Sequence, residues 1–301
     1  MENIITKEKK IDTALYINSL FQLMKPRVMS LVIFTCIVGM LIAPVNVDFV
    51  KASISIIAVA IGAGAAGSLN MWYEADLDAL MKRTCLRPIP TGKVTKNQAL
   101  FFGIITSIFS IVLLYFFSNL LSSAILLITI LFYVVIYTIW LKKRTAQNIV
   151  IGGAAGAFPP IIGWTIATGY ISFEPIILFL IIFFWTPSHF WALSLFKTED
   201  YNNAKIPMLP VVSGIKITKI NIFVYSLILL AVSIIPYYLG YFGNIYFVSS
   251  LILGLYYVYL CFKLLTTNEN NTKISKKIFV YSILYLFLIF SIILIDKIIW
   301  L

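Results

Sequence analysis

Charge is scarce in this chain: 12% of its 301 residues are Asp, Glu, Lys or Arg, against about 25% in a typical soluble domain. Apolar residues make up 61% and the mean hydropathy is +0.97, which excludes an ordinary soluble globular protein. Cysteine is also rare. Because Cys36, Cys85 and Cys261 lack the spacing of a metal site, we expect them to be reduced and structural.

Long polar linkers and the alternating pattern of strands are missing as well. Backbone groups in lipid must be satisfied within their segment, so apolar runs without strand alternation predict helices of roughly 20 residues each. We predict an all-α polytopic membrane protein in which a polar cytoplasmic arm (1–24), without a removable signal peptide, precedes one transmembrane domain (25–301). The nine predicted transmembrane helices are at 28–47, 52–71, 99–118, 120–141, 149–168, 175–196, 217–240, 246–265 and 278–297.

The net charge of +11 is explained by membrane topology rather than by nucleic-acid binding. With nine spans and a cytoplasmic N-terminus, 21 of the 23 Lys and Arg residues fall on the cytoplasmic side, leaving only Lys51 and Lys297 outside. This is the distribution that the positive-inside rule describes. It predicts a C-terminus outside, and it puts the polar loops 72–98 and 197–216 on the cytoplasmic face.

The polar residues 70–88 follow the Gly/Ala-rich second span and hold three of the twelve carboxylates. Ionisable groups at the end of a membrane helix are costly, so they indicate a functional site. If the helix continues through this segment, Asn70, Glu74 and Asp78 are spaced i, i+4, i+8 and lie on one face, whereas Asp76 points away.

Glu74 and Asp78 are like charges four residues apart, so the pair needs a counter-charge. A divalent cation is one source, and oxygen ligands favour Mg²⁺, which binds one or two carboxylates and completes its shell with water and phosphate oxygens. The alternative is a solvated helix end at which the acids pair with Arg83 or Arg87.

A second acidic pair, Glu199-Asp200, lies in the loop that follows the sixth span. This loop is four spans after the first polar segment and on the same side of the membrane. The two loops can therefore face each other across a helix bundle, which suggests a duplicated four-helix architecture. Beside the first cluster, the pair is a candidate for a second metal-binding arm.

These motifs resemble those of the intramembrane polyprenyltransferases, over about residues 20–297. The first is Asn-x3-Glu-x3-Asp followed by Lys-Arg-Thr-x2-Arg-Pro, at 70–88. The other segments are similar to the branch that farnesylates protohaem IX: Lys25-Pro26-Arg27, Pro187-Ser188-His189-Phe190, Trp191-Ala192-Leu193, Lys197-x2-Asp200-Tyr201-x2-Ala204 and Ile206-Pro207-Met208-Leu209-Pro210.

The resemblance implies a ring of helices around a central cavity that opens near the cytoplasmic face of a bacterial inner membrane. It also implies transfer of a farnesyl group from farnesyl diphosphate to haem B, giving haem O for terminal oxidases. Mg²⁺ is the implied cofactor, and a downstream haem-modifying enzyme is a candidate partner. By this resemblance Asn70, Glu74, Asp78 and Asp200 are catalytic residues, and the last three bind the metal.

Three positions depart from the family pattern. Met71 stands where relatives that prenylate quinone precursors often have Asp, which fits the haem branch. Glu74 replaces a more usual Asp and is one methylene longer. Lys205 stands where Gly commonly precedes Ile-Pro-Met-Leu-Pro, at a turn that Gly would favour.

Cations near the acids are candidates for binding the diphosphate, because breaking the allylic C–O bond builds negative charge on it. Contact with anionic lipids is the alternative role. The expected diphosphate-binding cations are Arg83, Arg87 and Lys197, with Lys143 or Arg144 as further candidates.

The single histidine, His189, lies in the sixth span two residues after Pro187. With haem as acceptor, its predicted role is to line the acceptor site or to ligate the haem iron; a hydrogen-bonded structural role is the alternative. Three aromatic residues flank the motifs and are candidates to shelter the allylic cation with their ring faces. They are Trp72, Tyr73 and Tyr201.

Two Gly/Ala-rich stretches, 62–67 and 152–157, are expected to allow close helix packing. Three other functions are open. Prenylation of an aromatic quinone precursor is the nearest alternative. A secondary transporter would have its ionisable groups inside the spans, whereas most acids here lie at the cytoplasmic ends. A non-catalytic assembly factor would not need paired acidic loops.

Overall fold

The computed structural model describes residues 13–267 and 272–300; residues 1–12 of the predicted arm and part of the predicted turn 266–277 lie outside these ranges. Within them every regular element is a helix. The elements are α1 (Thr13–Leu23), α2 (Pro26–Leu41), α3 (Phe49–Leu80), α4 (Lys96–Phe117), α5 (Leu120–Leu131) with a π-helical continuation (Phe132–Leu141), α6 (Asn148–Ala157), α7 (Pro159–Thr168), α8 (Phe173–Phe196), α9 (Thr198–Asn203), α10 (Leu209–Val212), α11 (Gly214–Tyr238), α12 (Asn244–Thr266) and α13 (Thr272–Trp300).

The membrane spans agree with the predicted number. In the described part of the chain, eight helical stretches are long and apolar enough to cross a bilayer. A ninth is obtained if α1 and α2, which meet at 52°, form one broken span. The predicted all-α polytopic fold is therefore confirmed, while the orientation of the termini stays a prediction.

Several boundaries differ from those predicted. Helix α1 occupies part of the arm that the sequence analysis treated only as polar, and α3 runs to Leu80, nine residues beyond the predicted end of its span. The predicted span 149–168 is broken between α6 and α7. The break falls at Pro159-Pro160, because proline has no N–H to donate and its ring clashes with a preceding carbonyl.

Glycines on α3 let the corner between α1 and α2 approach it closely. A Cβ on Gly64 would overlap the side chain of Met24, and one on Gly67 would touch Lys25 Cδ at 3.6 Å. The first Gly/Ala-rich stretch therefore serves close helix packing, as predicted. The approach brings Lys25 beside the C-terminal half of α3.

The second Gly/Ala-rich stretch has the same role on α6. A Cβ on Gly152 would collide with the ring of Tyr137, and one on Gly153 would lie 2.8 Å from Thr186 Cγ2. The π-helical segment is thus held against α6, and α6 against α8. The cysteines are free, as expected, and Cys36 and Cys261 are buried in their helices.

Candidate functional site

The polar face predicted at the end of the second span is formed by the last three turns of α3. Asn70, Glu74 and Asp78 are 2%, 3% and 3% exposed. The side chain of Asp76, by contrast, is 86% exposed and pairs with Lys96 at 2.8 Å on the surface. The helical continuation and the outward direction of Asp76 are both confirmed.

Each buried acid of α3 has a cation from another element. Lys142 Nζ, just after the π-helical segment, lies 2.5 Å from Glu74 Oε1. Arg87 Nη1 donates to both carboxylate oxygens of Asp78 at 2.8 and 2.7 Å. The ion pairing that the sequence analysis kept as an alternative therefore holds for Asp78 with Arg87, whereas Glu74 pairs with a lysine that it did not single out.

Arg87 reaches Asp78 because the chain turns back directly after α3. Thr84 is 1% exposed, and its hydroxyl donates to the backbone carbonyl of Asp78 at 2.9 Å. Further main-chain hydrogen bonds continue the turn, including Arg87 N to Thr84 O at 3.0 Å. The segment after α3 is therefore folded onto its end, and its arginine covers the last acid.

Lys25 is a further site residue that the sequence analysis noted only as part of a motif. It lies between α1 and α2 with φ 54°, directly before Pro26, and its Nζ donates to Asn70 Oδ1 at 2.5 Å. It is also within electrostatic range of Glu74, Asp78, Arg87 and Lys142. The sequence signal for this residue was a lysine directly before a proline that starts a helix. The sequence could not show which helix the lysine side chain contacts.

The amide of Asn70 has a second partner. Its Nδ2 donates to Thr138 Oγ1 at 3.0 Å, and Thr138 is 1% exposed. Thr138 lies on the π-helical segment, and sequence reasoning gave no sign of it. A helix with an i→i+5 pattern has no composition signature, and such segments are frequent at functional sites.

The second acidic loop is the short helix α9 and its flanks. Asp200 is 7% exposed, and its Oδ2 is 3.7 Å from Lys197 Nζ. Among the described residues, this oxygen has no hydrogen-bond donor. Tyr201, 6% exposed, packs in one cluster with Met81, which directly follows α3. The structure therefore brings the second loop against the end of α3, as the two-arm hypothesis requires.

The donor set fits Mg²⁺ in its chemistry. The candidate ligands are oxygens only, and Asp200 presents a buried carboxylate oxygen without a hydrogen bond. Across residues 13–267 and 272–300, no group of three or more His, Cys, Asp or Glu side chains is arranged to hold a metal ion. Mg²⁺ usually takes only one or two carboxylates and completes its shell with water and phosphate oxygens. The metal role of Glu74, Asp78 and Asp200 stays a prediction.

The remaining cations of the prediction lie towards solvent. Arg83 and Arg144 are exposed. Lys143 Nζ lies 5.4 Å above the centre of the Tyr73 ring, and Tyr73 in turn is 6.1 Å from Trp72. Among the residues of this loop, Lys142 rather than its two neighbours contacts an acid of α3.

His189 is held by packing and a hydrogen bond. It is 7% exposed, and its Nδ1 is 2.6 Å from Ser282 Oγ. Its ring stacks on Trp185 at 4.3 Å and on Phe279 at 4.6 Å between ring centres. These contacts match the structural alternative of the sequence analysis, and the proposed haem roles stay predictions.

A groove of about 910 Å³ lies at the other end of α3, lined mostly by apolar residues of α2, α3 and the loop between them, together with Lys297. Ala52, in its wall, is separated from Asp78 by 26 residues of one helix, a distance of about 39 Å at 1.5 Å per residue. This groove is therefore not the central cavity expected beside the acids, which stays a prediction.

The chain is similar to known proteins along most of its length. Residues 32–283 match the model of the UbiA prenyltransferase family. A protein of Pelagibacter ubique named "Protoheme IX farnesyltransferase" is 65% identical over 283 residues, which cover 93% of each chain.

Two solved structures share the fold. The first comes from a study of digeranylgeranylglyceryl phosphate synthase in membranes. It has a TM-score of 0.78 at 20% identity and covers 94% of this chain and 99% of that one. The second is a UbiA homologue of Archaeoglobus fulgidus bound to GPP and Mg²⁺. It has a TM-score of 0.67 at 16% identity and covers 91% and 99% of the two chains.

Proposed function

The chain belongs to the UbiA prenyltransferase family, and on this basis we propose that it transfers a farnesyl group from farnesyl diphosphate to a vinyl group of haem B, giving haem O and diphosphate. It is an integral membrane protein of the prenyltransferase class. The acceptor and donor are supported by the relative from Pelagibacter ubique, 65% identical over nearly the whole chain, and by the absence of a carboxylate at Met71.

The observation that carries the proposal is the partly buried ion cluster at the end of α3. It consists of Lys25, Glu74, Asp78, Arg87 and Lys142, whose charges are within range of one another. Each acid in it is paired with a cation, and Lys25 adds an amine that donates to Asn70. A partly buried site lined by such donors suits an anion that gains negative charge during reaction, which is the requirement of a departing diphosphate.

We assign two roles to Arg87 and Lys142. Without substrate they form ion pairs with Asp78 and Glu74, and they can bind phosphate oxygens once a substrate enters. Lys197, 3.7 Å from Asp200, has the same double role on the second arm. Mg²⁺ held by Glu74, Asp78 and Asp200 would supply Lewis-acid neutralisation of the diphosphate. Its presence is supported by the bound ion in the Archaeoglobus homologue.

The reaction breaks the bond between the allylic carbon and the diphosphate oxygen, and the diphosphate leaves with the electron pair. The vinyl π electrons of haem then form a C–C bond to the allylic carbon. Water captures the resulting cation beside the porphyrin and loses a proton, leaving a hydroxyl group. Tyr133 and Tyr137, whose rings are 5.5 Å apart and within electrostatic range of Glu74, are further candidates to stabilise the allylic cation.

We also propose a location in the bacterial cytoplasmic membrane with the ion cluster at the cytoplasmic face. The support is the bacterial origin of the Pelagibacter relative and the distribution of Lys and Arg. On this orientation, farnesyl diphosphate enters from the cytoplasm and the lipid. The product remains in the membrane, where a downstream haem-modifying enzyme is the expected partner.

The test is an assay in membranes that contain the protein, with haem B, farnesyl diphosphate and Mg²⁺, in parallel with EDTA and with membranes lacking the protein. Mass spectrometry of the extracted pigment is expected to give the mass of haem B plus one farnesyl group and one hydroxyl group, only in the Mg²⁺ sample. Prenylation of 4-hydroxybenzoate instead of haem would show that the acceptor is a quinone precursor, and it would leave the proposed metal site unchanged. No transfer to either acceptor by a folded preparation would contradict the proposal.

A further inference from the structure

The π-helical segment (Phe132–Leu141) continues α5 without a break and ends directly before Lys142. In its first turn the backbone carbonyl of Tyr133 is 2.8 Å from Thr138 Oγ1, five residues ahead. A threonine in an α-helix usually bonds the carbonyl three or four residues back. The wider π turn therefore gives this hydroxyl a partner that an α-helix would not offer it.

The hydrogen bonds of Thr138 fix the orientation of the Asn70 amide. Because the hydroxyl donates its single proton to Tyr133 O, it can only accept from Asn70. The group of Asn70 that faces it at 3.0 Å is accordingly the Nδ2 amide nitrogen. The amide oxygen must then point to the other side, where Lys25 Nζ donates to it at 2.5 Å.

We infer that Thr138 is a positioning residue that directs the Asn70 amide oxygen into the ion cluster. Without the hydroxyl the Asn70 Nδ2 group loses its acceptor, and the amide is then held from one side, by the Lys25 ammonium on its oxygen. An amide held from one side can tilt, which moves its oxygen away from the position in which it faces the ion cluster. Since Asn70 is 2% exposed, no solvent is available to compensate. The inference rests on the proposed function only in that the oxygen is assumed to serve a metal–diphosphate substrate.

The test compares Thr138→Val, which keeps the shape and removes the hydroxyl, with Thr138→Ser, which keeps the hydroxyl. Thr129→Val is the matched control, because Thr129 lies on the same span and its hydroxyl donates to the carbonyl of Ile125, within its own helix. Two quantities are measured. One is the Kd of the purified protein for farnesyl diphosphate, obtained from the rise in melting temperature that the ligand causes. It is measured in the absence of acceptor, both with and without Mg²⁺. The other is kcat and KM for haem farnesylation.

Removing a residue that holds a metal ligand in place by a hydrogen bond typically lowers metal affinity or enzyme activity 10–100-fold. We expect Thr138→Val to raise the Kd and the KM for farnesyl diphosphate by about this factor, with an unchanged KM for haem. The melting temperature without ligand should fall modestly, because a buried donor is left unsatisfied. Thr138→Ser and Thr129→Val should stay within about threefold of the parent. In an Asn70→Ala background Thr138→Val should add no further loss, because the two residues act as a unit.

Normal diphosphate affinity in Thr138→Val, or losses that simply add to those of Asn70→Ala, would overturn the inference. If Thr138→Val does not fold, Thr138→Ala in the same comparison decides, since it leaves more room in the segment. A parent protein that neither binds farnesyl diphosphate nor transfers it would instead refute the proposed function. The two failures are therefore distinguishable.

Discussion

Lys142 and Glu74 form a buried ion pair that ties the end of the π-helical segment to the polar face of α3. The two charged atoms are 2.5 Å apart, and the side chains are 17% and 4% exposed. Glu74 is also the position at which the chain has one methylene more than the family pattern. The longer side chain extends its carboxylate further from the α3 axis, on the side from which Lys142 approaches.

Replacing Lys142 by Gln is expected to lower kcat/KM for farnesyl diphosphate by about 10²-fold, because one preorganised positive charge at the diphosphate is lost. It should also lower the melting temperature, since the buried carboxylate of Glu74 would lose its counter-charge. Steady-state kinetics and thermal unfolding in detergent measure the two effects.

Lys143→Gln is the matched control, because Lys143 is the adjacent cation but stacks over Tyr73. It should change kcat/KM less than about threefold, as expected for an exposed charge. The double variant Glu74→Gln/Lys142→Gln should recover stability while remaining inactive. Equal losses in Lys142→Gln and Lys143→Gln would mean that the charge of the loop, and not this ion pair, matters.

Asp78 and Asp76 allow a second comparison on one helix. Asp78→Asn should abolish transfer and leave the protein folded in the membrane, because it removes a buried carboxylate that is a predicted metal ligand. Asp76→Asn should keep nearly full activity, because Asp76 is exposed and its pair with Lys96 is on the surface. Product analysis and the yield of membrane-inserted protein are the measurements. Full activity of Asp78→Asn would refute its assignment.

The polar face of α3 was predictable because it depends on one helix only. A spacing of four residues fixes which side chains share a face, and the exposure of Asp76 beside the buried Asp78 follows from the same geometry. The partners were not predictable to the same degree. Lys25, Lys142 and Thr138 come from three other segments, so their identity depends on packing that one sequence does not give.

Local backbone irregularities explain much of the site geometry that could not be predicted from the sequence. Lys25 adopts a left-handed conformation that lysine rarely favours, and the following Pro26 would by itself favour an extended conformation instead. The π-helical segment shifts the register of Thr138 and Lys142 relative to an α-helix. Such a shift alters which residues face α3, so an α-helical projection of the span would misplace them.

The predicted orientation can be measured with the natural cysteines. Cys85 follows α3 beside the ion cluster and is partly exposed, whereas Cys36 and Cys261 are buried. A membrane-impermeant maleimide should therefore label the protein in inverted vesicles but not in intact spheroplasts. Cys85→Ala should remove the label from inverted vesicles. Labelling of the parent in spheroplasts only would reverse the proposed topology.

The turn after α9 offers a test of backbone strain close to the second arm. Lys205 has φ 52°, the left-handed conformation that costs a non-glycine residue about 1–2 kcal/mol, and it stands where the family pattern commonly has Gly. Main-chain hydrogen bonds nevertheless close the turn, from Lys205 N to Asn202 O and from Ile206 N to Tyr201 O, both at 3.0 Å. The turn therefore keeps its shape at the expense of strain.

Lys205→Gly should relieve this strain and raise the free energy of unfolding by up to about 1 kcal/mol, because the greater chain entropy of Gly offsets part of the gain. Lys205→Ala removes the same charge but keeps Cβ, so it should give no gain. Thermal unfolding in detergent compares the two. Transfer activity should stay unchanged in both, since the Lys205 side chain is exposed, whereas Asp200 is buried. A loss of activity common to both variants would instead show that the ammonium group itself takes part in substrate binding.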